Sequence, residues 1–202
     1  MRVLAIETAS EACSVALIED GALLAHDHRV LGRGHAEHLV PMIADLPGRG
    51  RAKRIHVSLG PGSFTGVRIG IAAARALGLA WGAQVLGYPT LSLLASRAPG
   101  QDVLVCVQGG HGEWFVQPFD AQGTAVKPVA SMTPQAAVEV FDQKVIVGSK
   151  AQEFADLRGG DDARDMLPDA RFALDLAERH LQADLAPIYG RGPDAKLPQA
   201  RR

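Results

Sequence analysis

The sequence is short of cysteine, of net charge and of long apolar runs, and each shortage closes off a class of protein. Only two cysteines, Cys13 and Cys106, occur in 202 residues. That is too few for a disulfide framework or a cysteine-ligated zinc module. Both lie in apolar, strand-like runs, where a buried free thiol is the simplest reading. The formal net charge is −1, so no overall field draws the chain onto nucleic acid or an anionic membrane. No apolar run approaches the length of a bilayer span. The opening residues, Met1 to Glu7, reach an acid after a few apolar positions. They do not read as a secretory signal, and the expected location is cytoplasmic.

Several chemical signatures are missing too. No lysine follows the last glycine of Gly60-Pro61-Gly62-Ser63-Phe64-Thr65-Gly66, as a phosphate loop would require. The region some 20 residues on, Ala80 to Leu86, has no acid for a ribose. His35-Ala36-Glu37-His38 is not the His-Glu-x-x-His of helical zinc proteases, and it reads as an exposed, polar helix start. No Ser/His/Asp set or paired carboxylates stand out. No metal ligands, cofactor-binding residues or catalytic residues are therefore expected.

What is present is an ordinary globular composition, 47% hydrophobic and 21% charged, enough for a sizeable core. Val3 to Glu7, Cys13 to Glu19 and Ala22 to Val30 read as an antiparallel meander, with Asp20-Gly21 as a two-residue hairpin turn. Leu39, Ile43 and Leu46 then recur at helical spacing, with Pro41 inside the pattern. Ile55 to Leu59 reads as a strand, the glycine loop follows, and Val67 to Trp81 reads as a helix. Pro99-Gly100 is the best boundary. Beyond it a similar order restarts: strands at Val103 to Val107, Glu113 to Phe119 and Ala125 to Ala130, a helix from Thr133-Pro134, a strand at Lys144 to Val147, and helices over 150–157 and 169–182. The tail from Ala183 reads as an extended docking segment. The pattern predicts two similar α/β lobes, 1–98 and 101–202.

The start of the chain has the order of a two-lobed actin-like ATPase without its chemistry. Such proteins end strand one with Asp and follow it with a glycine turn that receives phosphate. Here the stretch is Glu7-Thr8-Ala9-Ser10, with a longer acid and an added Cβ, both of which crowd a phosphate. Three readings of the glycine loop stay open: a phosphate cradle, a tight strand-to-helix crossover, or a partner-binding loop.

Ile6-Glu7-Thr8-Ala9, Cys13-Ser14-Val15-Ala16-Leu17, His35-Ala36-Glu37-His38-Leu39 with Pro41-Met42-Ile43, and above all Gly60-Pro61-Gly62-Ser63-Phe64-Thr65-Gly66-Val67-Arg68-Ile69-Gly70 resemble the TsaB (YeaZ) family. The likeness covers roughly the first 95 residues. Ala186-Pro187-Ile188-Tyr189-Gly190-Arg191 resembles the family's Pro-x-Tyr-x-Arg tail. Pro47 to Lys53 is shorter than the family's usual segment. Gln108-Gly109-Gly110-His111-Gly112-Glu113-Trp114-Phe115 stands where the family often has Asp-Ala-Arg-x-Gly-Glu-Val-Tyr. The resemblance implies an actin-like (ASKHA, ribonuclease H-like) α/β fold of two lobes with mixed sheets. It also implies a non-catalytic subunit in the formation of N6-threonylcarbamoyladenosine in tRNA. Its partners would be the catalytic paralogue TsaD and the ATPase TsaE. Alone it would be a homodimer, meeting tRNA only through the complex and no membrane. The rival reading is an independent phosphotransferase or metalloprotease-like enzyme on the same fold.

The expected association surface is the Val67–Trp81 helix together with the one at His35–Leu46. Gly70, Ala74 and Gly78 form a ridge of small residues at i, i+4 and i+8, which would let another helix approach. Arg68, Leu39 and Ile43 are grouped with it. The alternative is that the His35–Leu46 helix of the same chain alone fills that role.

Overall fold

The computed structural model describes residues 1–190. The chain opens with β1 (Arg2–Glu7), β2 (Ala12–Glu19) and β3 (Ala22–Val30), a meander in which β2 pairs antiparallel with both neighbours. Asp20 and Gly21 both have positive φ, 51° and 81°, the backbone that a tight hairpin turn between right-twisted strands requires. Two crossovers follow. α1 (His35–Asp45) leads to β4 (Arg54–Ser58), parallel to β1, and α2 (Phe64–Trp81) leads to β5 (Gln84–Tyr88), parallel to β4. The sheet order is β3-β2-β1-β4-β5.

Alternation along the strands explains the layers. In β1, Leu4 and Ile6 join a core with Cys13, Val15 and Leu17 of β2 and with α1 and α2. Ala5 turns to the opposite face, where Ala16, Ile18, Tyr88 and Leu93 gather. Both faces of the sheet are covered.

After α3 (Thr90–Ala95) the plan repeats. β6 (Val103–Gln108), β7 (Trp114–Phe119) and β8 (Ala130–Met132) form a second meander. α4 (Pro134–Val140), β9 (Val145–Val147), α5 (Ala151–Arg158) and β10 (Asp162–Arg164) complete it. The order β10-β9-β6-β7-β8 is the first sheet's order over again. α4 starts as expected, with the Thr133 hydroxyl accepting from Ala136 N–H and Pro134 in its first turn.

Three expectations change. The third strand of the second meander is Ala130–Met132 rather than 125–130. Pro128 has no N–H for a ladder, and Ala125 makes only an isolated bridge to Phe119. The helix expected over 169–182 is two 3-10 turns, Ala170–Leu174 and Glu178–His180. This stretch belongs to the first lobe's packing. Ala170, Ala173 and Leu176 cover Ala5, Ala16 and Ile18, Gln182 exchanges backbone hydrogen bonds with Gly87, and Ile188 N–H donates to Leu59 O. The chain thus returns to the first sheet within the range 101–202 assigned to the second lobe. The tail is an extended docking segment through Gly190, and residues 191–202 lie outside the described part.

The third change concerns α2. Its small-residue ridge faces inward, against the chain's own sheet. A Cβ on Gly70 would overlap the Thr8 hydroxyl, and one on Gly78 would overlap Val85. Ala74 is fully buried in the core beside Ile55 and Val57. The glycines let a helix lie close to the strands, as the crossover needs, and leave no groove for a second helix. Ala74→Arg should therefore unfold the chain rather than release a folded monomer, because it buries an unpaired cation at a cost of more than about 3 kcal/mol. Loss of the cooperative urea transition would show this. A folded variant of near-native midpoint would contradict the packing.

Candidate functional site

Between the two sheets lies a cleft of about 780 Å³. One wall is the β1–β2 turn, Ala9 to Glu11, with the glycine loop from Pro61 to Phe64; the other is Val107 to His111 with Ser149. Ile188, Tyr189 and Gly190 of the returning segment close one side. A cleft between two lobes is a common seat for a small ligand.

The groups that would meet phosphate are turned inward or already engaged. Glu7, at the end of β1, is fully buried and accepts a hydrogen bond from Ala9 N–H at 2.8 Å. It does not line the cleft. The Thr8 hydroxyl donates to Gly66 O at 2.8 Å. The Ser10 hydroxyl accepts from Ala12 N–H at 3.1 Å. The glycine loop is pressed onto this same turn. A Cβ at Gly62 would overlap the Ala9 carbonyl, one at Gly66 would overlap the Thr8 carbonyl, and Ser63 N–H donates to Ala9 O at 2.7 Å. Ser63 Oγ caps α2 by accepting from Gly66 N–H. Of the three readings left open, the loop's glycines serve the tight crossover.

Arg68 sits at the cleft's lip. Its guanidinium lies 3.3 Å from the centre of the Phe64 ring and 5.3 Å from that of Tyr189, and it donates to the Tyr189 hydroxyl at 2.6 Å. This stack clasps the first turn of α2 to the end of the returning segment. Tyr189 belongs to the tail motif, and its sequence neighbours gave no sign of Arg68 as partner. Arg191 of that motif lies beyond the described residues.

Of the six residues expected to bind a partner, Leu39, Ile43, Gly70, Ala74 and Gly78 are buried within the chain, and Arg68 alone is exposed. The outer faces of the two helices carry other residues. Val40 on α1 is 55% exposed, and Leu79 on α2 is 88% exposed. Ala72, Ala76 and Ala80 share the outer side of α2, and Ala36 and Ala44 that of α1. The ridge of small residues meets the chain's own sheet, because glycine and alanine suit close packing on strands as well as on a helix.

His35 also departs from expectation. It is buried, and its Nε2 lies 3.0 Å from Ser10 O and 3.2 Å from Ala12 O, so it pins the start of α1 to the β1–β2 turn. His38 is exposed and bonds to Gly34 O. The two rings serve different backbone groups.

Comparison with known proteins settles the family. The family profile for TsaD, tRNA N6-adenosine threonylcarbamoyltransferase, matches residues 29–163. The TsaB protein of Escherichia coli, a tRNA threonylcarbamoyladenosine biosynthesis protein, is 34% identical over 205 residues, covering 93% of this chain and 85% of its own length. The chain belongs to the TsaB family. YeaZ from Pseudomonas aeruginosa has the same architecture, with a TM-score of 0.78 at 29% identity, over 93% of this chain and 99% of that one. The ethanolamine utilization protein EutJ of Carboxydothermus hydrogenoformans, at 10% identity and a TM-score of 0.55 over 87% and 89% of the two chains, shares the actin-like fold.

Two predictions follow from the buried groups. Burial raises the Glu7 carboxyl from an ordinary 4.5 to about 7, against the opposing pull of Ala9 N–H. The folded chain then binds more protons than the unfolded one between those values, so Glu7 costs stability as pH rises from about 4.5 to 7, in total about 3 kcal/mol. Glu7→Gln should flatten that decline and gain on the native chain at pH 8. Urea midpoints that fall in parallel for both proteins would refute it. Burial also pushes Cys13 to about 11 and Cys106 higher still. Neither should react with a disulfide reagent within minutes in native buffer, whereas both should at once in denaturant.

Proposed function

We propose that this chain is a non-catalytic subunit of the machinery that forms N6-threonylcarbamoyladenosine in tRNA. It works in the cytoplasm beside the catalytic paralogue TsaD and the ATPase TsaE. It brings no catalytic cofactor and meets tRNA only through the complex. The observation that carries this reading is the inward turn of Glu7 and Thr8. The acid and hydroxyl that an actin-like ATPase offers to metal and phosphate are here bonded to Ala9 and Gly66. Among the described residues no helix is long and apolar enough to cross a membrane.

The same reading places association on the outer faces of α1 and α2. Large apolar side chains such as Leu79 and Val40, standing in water beside alanines, mark a surface that another protein covers. It would serve the paralogue in the complex and a second copy when the chain is alone. Leu79→Arg should leave a cooperative urea transition intact and weaken both associations at least tenfold, read by light scattering and by co-purification with TsaD. Unchanged association in both would move the interface elsewhere.

The functional test is a threonylcarbamoylation assay reconstituted with and without this chain, read by mass spectrometry of digested tRNA. Modification should fall sharply without it. Equal modification in both reactions, or ATP turnover by the isolated chain that Glu7→Ala abolishes, would overturn the proposal.

A further inference from the structure

On the face of the first sheet away from α1 and α2, three groups from distant parts of the chain meet. His26 and His28 are two residues apart on the edge strand β3, so both point to one face. Asp169 comes from the returning segment that covers that face. We propose that His26, His28 and Asp169 are the ligands of a zinc-type divalent metal ion, which fastens the edge strand to the returning segment.

The donor atoms have the spacing that such an ion needs. All lie within 4.8 Å of one another. His26 Nε2 is 3.2 Å and His28 Nδ1 is 3.4 Å from the same carboxylate oxygen, Asp169 Oδ2. Zinc bonds of about 2.0–2.2 Å at tetrahedral angles put ligand atoms roughly 3.3 Å apart. Two imidazoles and a carboxylate are a set of intermediate softness that suits zinc. His28 Nδ1 is shielded from solvent and makes no hydrogen bond, a cost that a metal bond would remove. Three protein ligands leave one tetrahedral position for water.

The carboxylate is held in place from behind. Ser14 Oγ donates to Asp169 Oδ1 at 3.1 Å and accepts from Ala170 N–H at 3.0 Å. Arg171 N–H donates to Oδ1 at 3.0 Å. Ser14 stands directly opposite His28 in the β2–β3 register, so one strand pair supplies both a ligand and its support. Arg171 Nε also lies 3.0 Å from Asp169 Oδ2. That guanidinium is half exposed and competes with a cation for the same oxygen, so metal entry requires it to swing outward.

The test uses the full chain, freed of metal by a chelator and titrated with Zn²⁺ by calorimetry and with Co²⁺ by visible absorption. One equivalent should bind, and Co²⁺ should give the intense bands of tetrahedral ligation. His26→Gln and His28→Gln should each weaken binding on the order of tenfold or more, and Arg171→Met should strengthen it. Nitrogen NMR of the imidazoles needs no variant: Zn²⁺ should move the ring signals of His26 and His28. Binding that survives the double His26→Gln/His28→Gln change, a pale octahedral Co²⁺ spectrum, or zinc shifts at His38 and His111 instead would overturn the site.

Discussion

The contact on which the rest depends is the seating of the glycine loop on the β1–β2 turn. Ser63 N–H reaches Ala9 O, the Thr8 hydroxyl reaches Gly66 O, and neither Gly62 nor Gly66 has room for a Cβ. This fixes where α2 begins and brings its small face down onto β1, β4 and β5. The Thr8 hydroxyl and the Ala9 N–H of this turn are bonded to Gly66 O and to Glu7. That acid is left fully buried, which holds its carboxyl above the ordinary range.

His35 and Arg68 extend that arrangement outward. His35 ties the first turn of α1 to the carbonyls of Ser10 and Ala12. Arg68, between Phe64 and Tyr189, ties the first turn of α2 to the returning segment. Both helices are therefore anchored at the end that borders the cleft, while their outer faces stay open. Groups held rigid in this way have little ordering entropy left to lose.

Much of the fold was legible in the sequence because it is written in local signals. Asp20-Gly21 marks a hairpin, Thr133-Pro134 marks a helix start, and the repeated strand–strand–strand–helix–strand order predicts the second sheet. What was not legible depends on chain segments far apart. Alternation cannot say that Ala170 to Leu176 lie on the first sheet, and a glycine ridge does not announce which surface it meets. His26 and Asp169 lie 143 positions apart, and no spacing rule spans that distance. The exposed helix faces could be read only by subtraction, once the inward faces were known.

The returning segment makes the second sheet an insertion within the first lobe, because the chain leaves the first lobe near Pro99 and re-enters it by Asp169. Order of synthesis then matters. When residues 1–98 have left the ribosome, the strands β1 to β5 are all present, but Ala5, Ala16, Ile18 and Tyr88 still lack Ala170, Ala173 and Leu176 as cover. The first half to be made is thus the last to be finished. Its sheet keeps one apolar face incompletely covered until the whole second lobe has emerged.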